Sequence, residues 1–321
     1  MNVALVGSNF GLKGYLPVLN KIKKLKLKII CSRNINKIDF KELKNIEYKS
    51  NWKDIFNQNI DIIILAVPPK IQEKILIYNL KYRKQIIFEK PISTSFLKSK
   101  KIFEKIKEKK IKSEINLTYL NHILFRKVKK IIDNKSLGSV IDYKINWAFV
   151  SGDFNKKIKS WKTDEKQGGG IKNIFLTHVL SYCEYFFKKS LLKSSFIKSS
   201  NFKGLNFKKF ILLKLKNFKK INGEVLIHIK KNGLQTHKIE INFENGKVKL
   251  FTKSKDWTNN FVLKVYKKNK KFKIYKNMSK KFFNDGRSQQ IYLMINNFIK
   301  KKNYKNIQYC LNAEELNNRL I

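Results

Sequence analysis

Residues 61–67 read Asp-Ile-Ile-Ile-Leu-Ala-Val and run straight into Pro68-Pro69. No polar residue alternates with the apolar ones, so this strand must be covered on both faces, as central strands of parallel sheets are. A second such run, QIIFEK at 85–90, ends on Glu-Lys and is stopped by Pro91. Upstream, strand-like NVALVG (2–7) leads through a loop into helix-like YLPVLNKIKK (15–24), where Pro17 is tolerated in the first turn. KLKIICS (26–32), a short polar helix around DFKELKN, IEYKS and WKDIFNQ follow. Past Pro69, IQEKILIYNL is helical, and TSFLKSKKIFEKIKEKK (94–110) is an amphipathic helix opened by a Thr or Ser cap. Strands alternating with helices and joined by right-handed crossovers predict an α/β fold with a doubly wound parallel sheet.

The pattern changes near residue 119. HILFRKVKKIIDNK is a helix ended by Leu137-Gly138, and from Val140 eight alternating stretches read as strands of a mostly antiparallel sheet with one wet face. Asn222-Gly223, Asn232-Gly233 and Asn245-Gly246 are hairpin signals between them. GGGIKNIFLTHVLSYCEYFF interrupts the strands with helical apolar spacing around His178, and RSQQIYLMINNFIKK and CLNAEELNNRL close the chain as helices. Two closely packed domains, 1–118 and 119–321, are expected, the second an α+β domain with a large open sheet.

The formal charge of +48 raises nucleic acid or an anionic membrane as partners. Only five of the 71 basic residues are arginine, however, and the lysines are spread from the first helix to the last. Dedicated nucleic-acid binders concentrate charge on one face and use arginine for bidentate contacts, so no such role is expected. Nothing in MNVALVG reads as a signal peptide, and no apolar run approaches the roughly 18 residues of a membrane span. A soluble cytoplasmic protein is the expectation. Cys31, Cys183 and Cys310 lack metal-ligand spacing and read as reduced structural thiols, and no metal site is expected.

Four stretches carry chemistry. VALVGSNFGLKG (3–14) is strand, glycine-bearing turn and helix start, the context in which backbone amides and a helix N-terminus hold a pyrophosphate. Against G-x-G-x-x-G, Gly7 matches, Asn9 and Leu12 take the second and third glycine positions, and Gly11 is displaced by one, with Phe10 between; a plain tight turn would look similar. At the end of the second strand an acid would bind a ribose 2′-hydroxyl; Ser32-Arg33 instead suits a 2′-phosphate, which favours NADP over NAD. Ala66, Val67, Pro68 and Pro69 form a rigid loop at a strand end, where ligands of such sheets lie. Glu89, Lys90 and Pro91 occupy another strand end, where a desolvated lysine serves as general acid/base and the acid holds it or touches the cofactor.

In order along the chain, the GSNFG turn, AVPP, EKP, LGSV, Trp161, and GGG followed eight residues later by His178 resemble the Gfo/Idh/MocA oxidoreductases. The resemblance implies a Rossmann domain followed by an α/β domain whose large open sheet often makes oligomer contacts, here a homodimer or homotetramer. It also implies hydride transfer between a nicotinamide and a sugar or polyol carbon, with Lys90 between cofactor and substrate and His178 at the reacting hydroxyl. Family dehydrogenases commonly carry Asp one helical turn before that histidine; this chain has Ile174. Asn173, five residues from His178, is turned roughly 140° away on an ideal helix and is a poor stand-in.

Trp161 and Lys162 are candidates for a sugar pocket, by stacking and by pairing an anionic substituent, as are Asn116, Tyr119 and Lys172. His122, His228 and His237 read as structural or exposed. The sum is an NADP-preferring oxidoreductase acting on a sugar, polyol or nucleotide-sugar hydroxyl or carbonyl, with Lys90 and His178 catalytic. The competing expectation is a silent NAD(P)-binding sensor or partner subunit, raised by Ile174 and the two missing glycines.

Overall fold

The computed structural model describes every residue except 34–44, 157, 203–204, 219, 257, 259, 271, 277–282, 301–303 and 321. The chain forms two compact units, one of residues 1–117 with 283–311, the other of 118–282 with 312–321.

The first unit contains strands β1 (Asn2–Val6), β2 (Lys26–Cys31), β3 (Glu47–Lys49), β4 (Ile62–Leu65), β5 (Gln85–Glu89) and β6 (Ser113–Asn116). They pair in parallel in the order β3-β2-β1-β4-β5-β6. The order reverses between β1 and β4, and that reversal opens a crevice at the carboxyl ends of the strands. The run 62–65 is fully buried, as its lack of alternation requires.

Helices α1 (Leu16–Leu19), α2 (Pro69–Tyr82) and α3 (Phe96–Glu108) lie between these strands. The helix expected over 15–24 is shorter and differently wound: Gly11–Tyr15 is a π-helical turn and α1 ends at Leu19. Pro17 has no N–H to donate back into the preceding turn, and Gly11 and Gly14 lower the helical preference around it. The expected polar helix at DFKELKN lies almost wholly outside the described residues.

The second unit holds α4 (Ile123–Asp133), β7 (Val140–Val150), α5 (Gly152–Asn155), α6 (Thr177–Phe187) and seven further strands. These are β8 (Ser190–Phe202), β9 (Leu205–Asn217), β10 (Asn222–Lys230), β11 (Gln235–Phe243), β12 (Gly246–Ser254), β13 (Val262–Lys267) and β14 (Lys273–Lys276). All eight expected strands form one sheet, ordered β14-β13-β12-β11-β7-β10-β9-β8, antiparallel except for the β7–β10 pair. Its inner face buries Tyr143, Ile145, Trp147, Val225, Ile227, Ile239 and Ile241. Two glycine signals differ from expectation: Asn222-Gly223 lies inside β10, and the β11–β12 loop is Glu244-Asn245, with Gly246 already in a strand. Gly223 is needed for space, because a Cβ there would stand 2.1 Å from the ring of Tyr143, its partner across the β7–β10 ladder.

Two C-terminal helices, α7 (Gly286–Lys300) and α8 (Lys305–Asn318), follow the sheet in sequence. The expected second domain included both, but α7 packs within the first unit. Ile291, Met294, Ile295 and Phe298, spaced as one helical face, join the core of Val3, Leu5, Tyr15, Val18, Ile62, Ile64 and Ile87. Each such buried side chain contributes about 1.5–3 kcal/mol, enough to hold the helix there. α8 is divided between the units at residue 311.

Gly223→Ala is expected to destabilise the second unit by about 1–3 kcal/mol, the usual cost of overpacking a filled core. Urea denaturation checks this, and Tyr143→Ala in the same chain should recover part of the loss.

Candidate active site

In the first unit the predicted turn, loop and strand-end residues gather along the carboxyl ends of β1, β2, β4 and β5. Gly7 follows β1 with φ +111°, and its N–H donates to the Cys31 carbonyl at 2.9 Å. A Cβ on Gly7 would stand 2.2 Å from the Ala66 carbonyl oxygen. The turn after β1 therefore approaches the AVPP loop after β4 as only glycine allows, which keeps the switch-point crevice open for a dinucleotide. Asn9 is exposed, Phe10 and Leu12 are partly buried, and Gly11 is buried against Leu5 and Ala66. Leu12, at the third glycine position, packs toward Ile30 of β2. Ser8 and Ser32 share a hydroxyl hydrogen bond of 2.7 Å, which joins the turn to the end of β2, and Arg33 beside it is exposed. Ala66, Val67 and Pro68 are partly accessible, and Pro69 opens α2.

At the end of β5 the Glu89 carboxylate accepts the Tyr15 hydroxyl at 2.6 Å and the Asn116 amide at 2.8 Å through one oxygen. Gln72 of α2 fixes the backbone: its amide donates to the carbonyls of Glu89, Pro91 and Ile92 at 2.6, 2.9 and 3.0 Å, and its oxygen accepts the Glu89 N–H at 2.9 Å. The Lys90–Pro91 peptide is cis. Burial raises the Glu89 carboxyl above its ordinary range, against the Tyr15 and Asn116 hydrogen bonds and the charges of Lys90 and Arg287. Burial also lowers the Lys90 ammonium to about 8, with the Arg287 charge adding to the fall and Glu89 and Cys310 opposing it. Both residues keep some accessible surface.

In the second unit a π-helical turn, Lys172–Leu176, opens into α6, of which His178 is the second residue. The histidine is 8% exposed and meets the edge of Tyr119 with ring centroids 5.5 Å apart. Tyr119 is buried among Phe125, Trp147, Tyr182, His237 and Phe261. His237 stacks on Trp147 at 4.7 Å and bonds the Tyr182 hydroxyl at 2.9 Å, and burial lowers its pKa to about 3. His122 is buried and accepts the Leu124 N–H at the start of α4. Asn173 donates to the Gly169 carbonyl at 2.9 Å, which spends its amide on the glycine turn. Ile174 is partly buried.

Lys162 pairs with Asp153 at 3.0 Å. Lys172 donates to the Leu320 carbonyl at 3.1 Å and stands 3.8 Å from Glu165, which also pairs with Lys208 at 3.0 Å. The Trp161 carbonyl oxygen would lie 2.0 Å from a Cβ on Gly169, so the tryptophan backbone packs directly on the glycine run.

Three residues outside the sequence-based set matter. Tyr15 opens a helix-like stretch and Gln72 is one helix polar among several in the sequence; neither type nor spacing marks them. Arg287 carried a signal, the scarcity of arginine. Its guanidinium lies 4.5 Å above the Phe10 ring and its Nε and Nη2 hold Asp285 at 2.6–3.1 Å. All three cysteines are buried free thiols, and among the described residues no His/Cys/Asp/Glu group could hold a metal and no helix is long and apolar enough to cross a membrane.

Residues 1–116 match the model of the Gfo/Idh/MocA oxidoreductase family, NAD-binding Rossmann fold. An uncharacterized oxidoreductase of Schizosaccharomyces pombe is 24% identical over 129 residues, 40% of this chain and 34% of its own length. Levoglucosan dehydrogenase of Pseudarthrobacter phenanthrenivorans is 25% identical over 142 residues, 42% of this chain and 35% of its own. The match thus spans about a third of the length of these curated relatives.

Among solved structures, KijD10, a 3-ketoreductase from Actinomadura kijaniata in complex with NADP and TDP-benzene, aligns with TM-score 0.80 and 13% identity over 99% of this chain and 95% of its own. A levoglucosan dehydrogenase in complex with NADH and levoglucosan aligns with TM-score 0.82 and 15% identity over 99% and 96%. At such identities the likeness is one of fold. Residues 1–116 thus match the NAD-binding Rossmann domain of the Gfo/Idh/MocA oxidoreductases, and the whole chain follows the fold of these solved structures.

Proposed function

We propose that the protein is an NADP(H)-preferring dehydrogenase or reductase that moves a hydride between the nicotinamide and a sugar, polyol or nucleotide-sugar carbon. The observation that carries this reading is Lys90: a lysine at the end of β5, held beside Glu89 and lowered to about 8 by burial, is poised to give or take a proton. The nicotinamide, when bound, supplies the hydride acceptor or donor at its C4.

In the oxidative direction the neutral Lys90 Nζ takes the hydroxyl proton; in the reductive direction the ammonium returns it to the forming alkoxide. Glu89, fixed by Tyr15 and Asn116, holds Lys90 in place, so Asn116 serves this pair and not a substrate pocket. His178, kept in orientation by Tyr119, is assigned to the substrate hydroxyl, with Trp161, Lys162 and Lys172 as the remaining substrate candidates. The crevice residues Gly7, Asn9 to Leu12, Ala66 to Pro69 and Pro91 hold the dinucleotide. Ser32 and Arg33, with no acid at the end of β2, support the 2′-phosphate and hence NADP. Phe196 and Phe210, packed together on the outer face of the large sheet, support assembly as a homodimer or homotetramer.

The silent cofactor-binding reading retains one favourable observation, the apolar Ile174 one turn before His178. A screen of NADPH-dependent reduction across keto-sugars and nucleotide keto-sugars separates the two: NADPH binding with no turnover on any of them would establish the silent protein.

On a substrate so identified, Lys90→Ala should lower kcat by about 10²–10⁴-fold, the usual share of a general acid/base. Because the base must be neutral, oxidation should rise as pH passes about 8, and reduction, which needs the ammonium, should fall through the same pH. A profile flat from pH 7 to 9 in both directions would remove Lys90 from the proton step. Arg33→Ala should weaken NADPH about tenfold or more while leaving NADH unchanged, as loss of a charged phosphate contact does; equal effects on both cofactors would remove the 2′-phosphate assignment.

A further inference from the structure

The matched NAD-binding region ends at residue 116, yet the crevice it forms is flanked by a residue from far downstream. Arg287, at the first turn of α7, lies over Phe10 of the glycine-bearing turn with its guanidinium carbon 4.5 Å from the ring centroid. Asp285 grips it through Nε at 3.0 and 3.1 Å and through Nη2 at 2.6 Å. The neighbouring Ser288 hydroxyl donates to the Gly14 carbonyl at 3.0 Å, and Gly14 has no room for a Cβ, which would meet the Phe10 ring at 2.6 Å. The start of α7 is therefore locked against the turn. The Arg287 charge also reaches Glu89 and Lys90 at the end of β5.

A dinucleotide bound at the switch point runs its nicotinamide half from the turn after β1 across β4 toward β5. Arg287 stands beside both ends of that path, and at 38% side-chain exposure it remains accessible to a ligand. The turn itself is short of glycine: Asn9 and Leu12 occupy positions where a missing side chain would let the backbone approach the pyrophosphate. A guanidinium fixed along one edge by a carboxylate and supported by an aromatic face is a preorganised donor to phosphate. We propose that Arg287 is a cofactor-binding residue, its guanidinium bonding the nicotinamide-side phosphate of the dinucleotide and making up for the weakened backbone cradle. The proposal rests on the NAD(P) reading of the same crevice.

The test titrates the full-length chain with NADPH by fluorescence and with 2′,5′-ADP by calorimetry, the latter lacking the nicotinamide-side phosphate. Arg287→Ala should weaken NADPH about 10- to 100-fold, the share of a charged hydrogen-bond pair, and leave 2′,5′-ADP unchanged. Arg287→Lys, which keeps the charge and loses the fork, should fall between, and Asp285→Asn should weaken NADPH less than Arg287→Ala. Unchanged NADPH affinity in Arg287→Ala overturns the proposal, as does an equal loss for both ligands, which would mean that α7 merely props the turn. Wild-type protein that binds neither NADPH nor NADH overturns the cofactor reading itself, before any variant is compared.

Discussion

Everything at the carboxyl end of the parallel sheet depends on the Glu89 carboxylate. A carboxylate in that position is costly unless its oxygens are satisfied, and here Tyr15, Asn116, Lys90 and Arg287 share the task from four different elements. The π-helical turn after β1 brings Tyr15, β6 brings Asn116, Lys90 directly follows β5 and α7 brings Arg287. Removing any one leaves the others facing an under-compensated charge, so the geometry around Lys90 is determined jointly. Gln72 adds the backbone half of the same arrangement, with four hydrogen bonds around one cis turn. The lysine pKa is lowered because burial, with the Arg287 charge, outweighs the opposing charges of Glu89 and Cys310.

The strand inventory was legible because strand periodicity is a local property. Uninterrupted apolar runs at 62–65 and 86–88 are buried central strands, and all eight alternating stretches after residue 140 joined one sheet. What local pattern could not carry was the partner of each element. The α7 sequence has an apolar stripe that any core would accept; that it covers β1 and β4, and not the sheet it follows, depends on shape match with Tyr15, Val18 and Leu19. The same limit hid Gly223, whose Asn-Gly pair reads as a turn until Tyr143 is known to stand across from it.

The candidate site was legible where backbone demands were unusual. Gly7 and Glu-Lys-Pro announce themselves through conformation and strand ends, while Tyr15 and Gln72 do their work through hydrogen bonds between residues 17 to 74 positions apart. Tyr119, a substrate candidate by sequence, lies within an aromatic cluster and packs on the His178 ring. Asn173 is committed to Gly169, and Ile174 is apolar.

The return of α7 to the first unit has a consequence for how the chain is made. Residues 118–282 stand between the two parts of the Rossmann core, so a ribosome releases β1 to β6 long before it releases their cover. Until Ile291, Met294, Ile295 and Phe298 emerge, the apolar surface of Val3, Tyr15, Val18, Leu19 and Ile64 waits unprotected. Closing a loop of that length adds little entropy cost beyond that of a much shorter one, so the delay is one of synthesis time and not of thermodynamic penalty. During that interval the exposed apolar surface is of the kind that makes partly folded chains prone to aggregate, and a high net charge of one sign opposes such association.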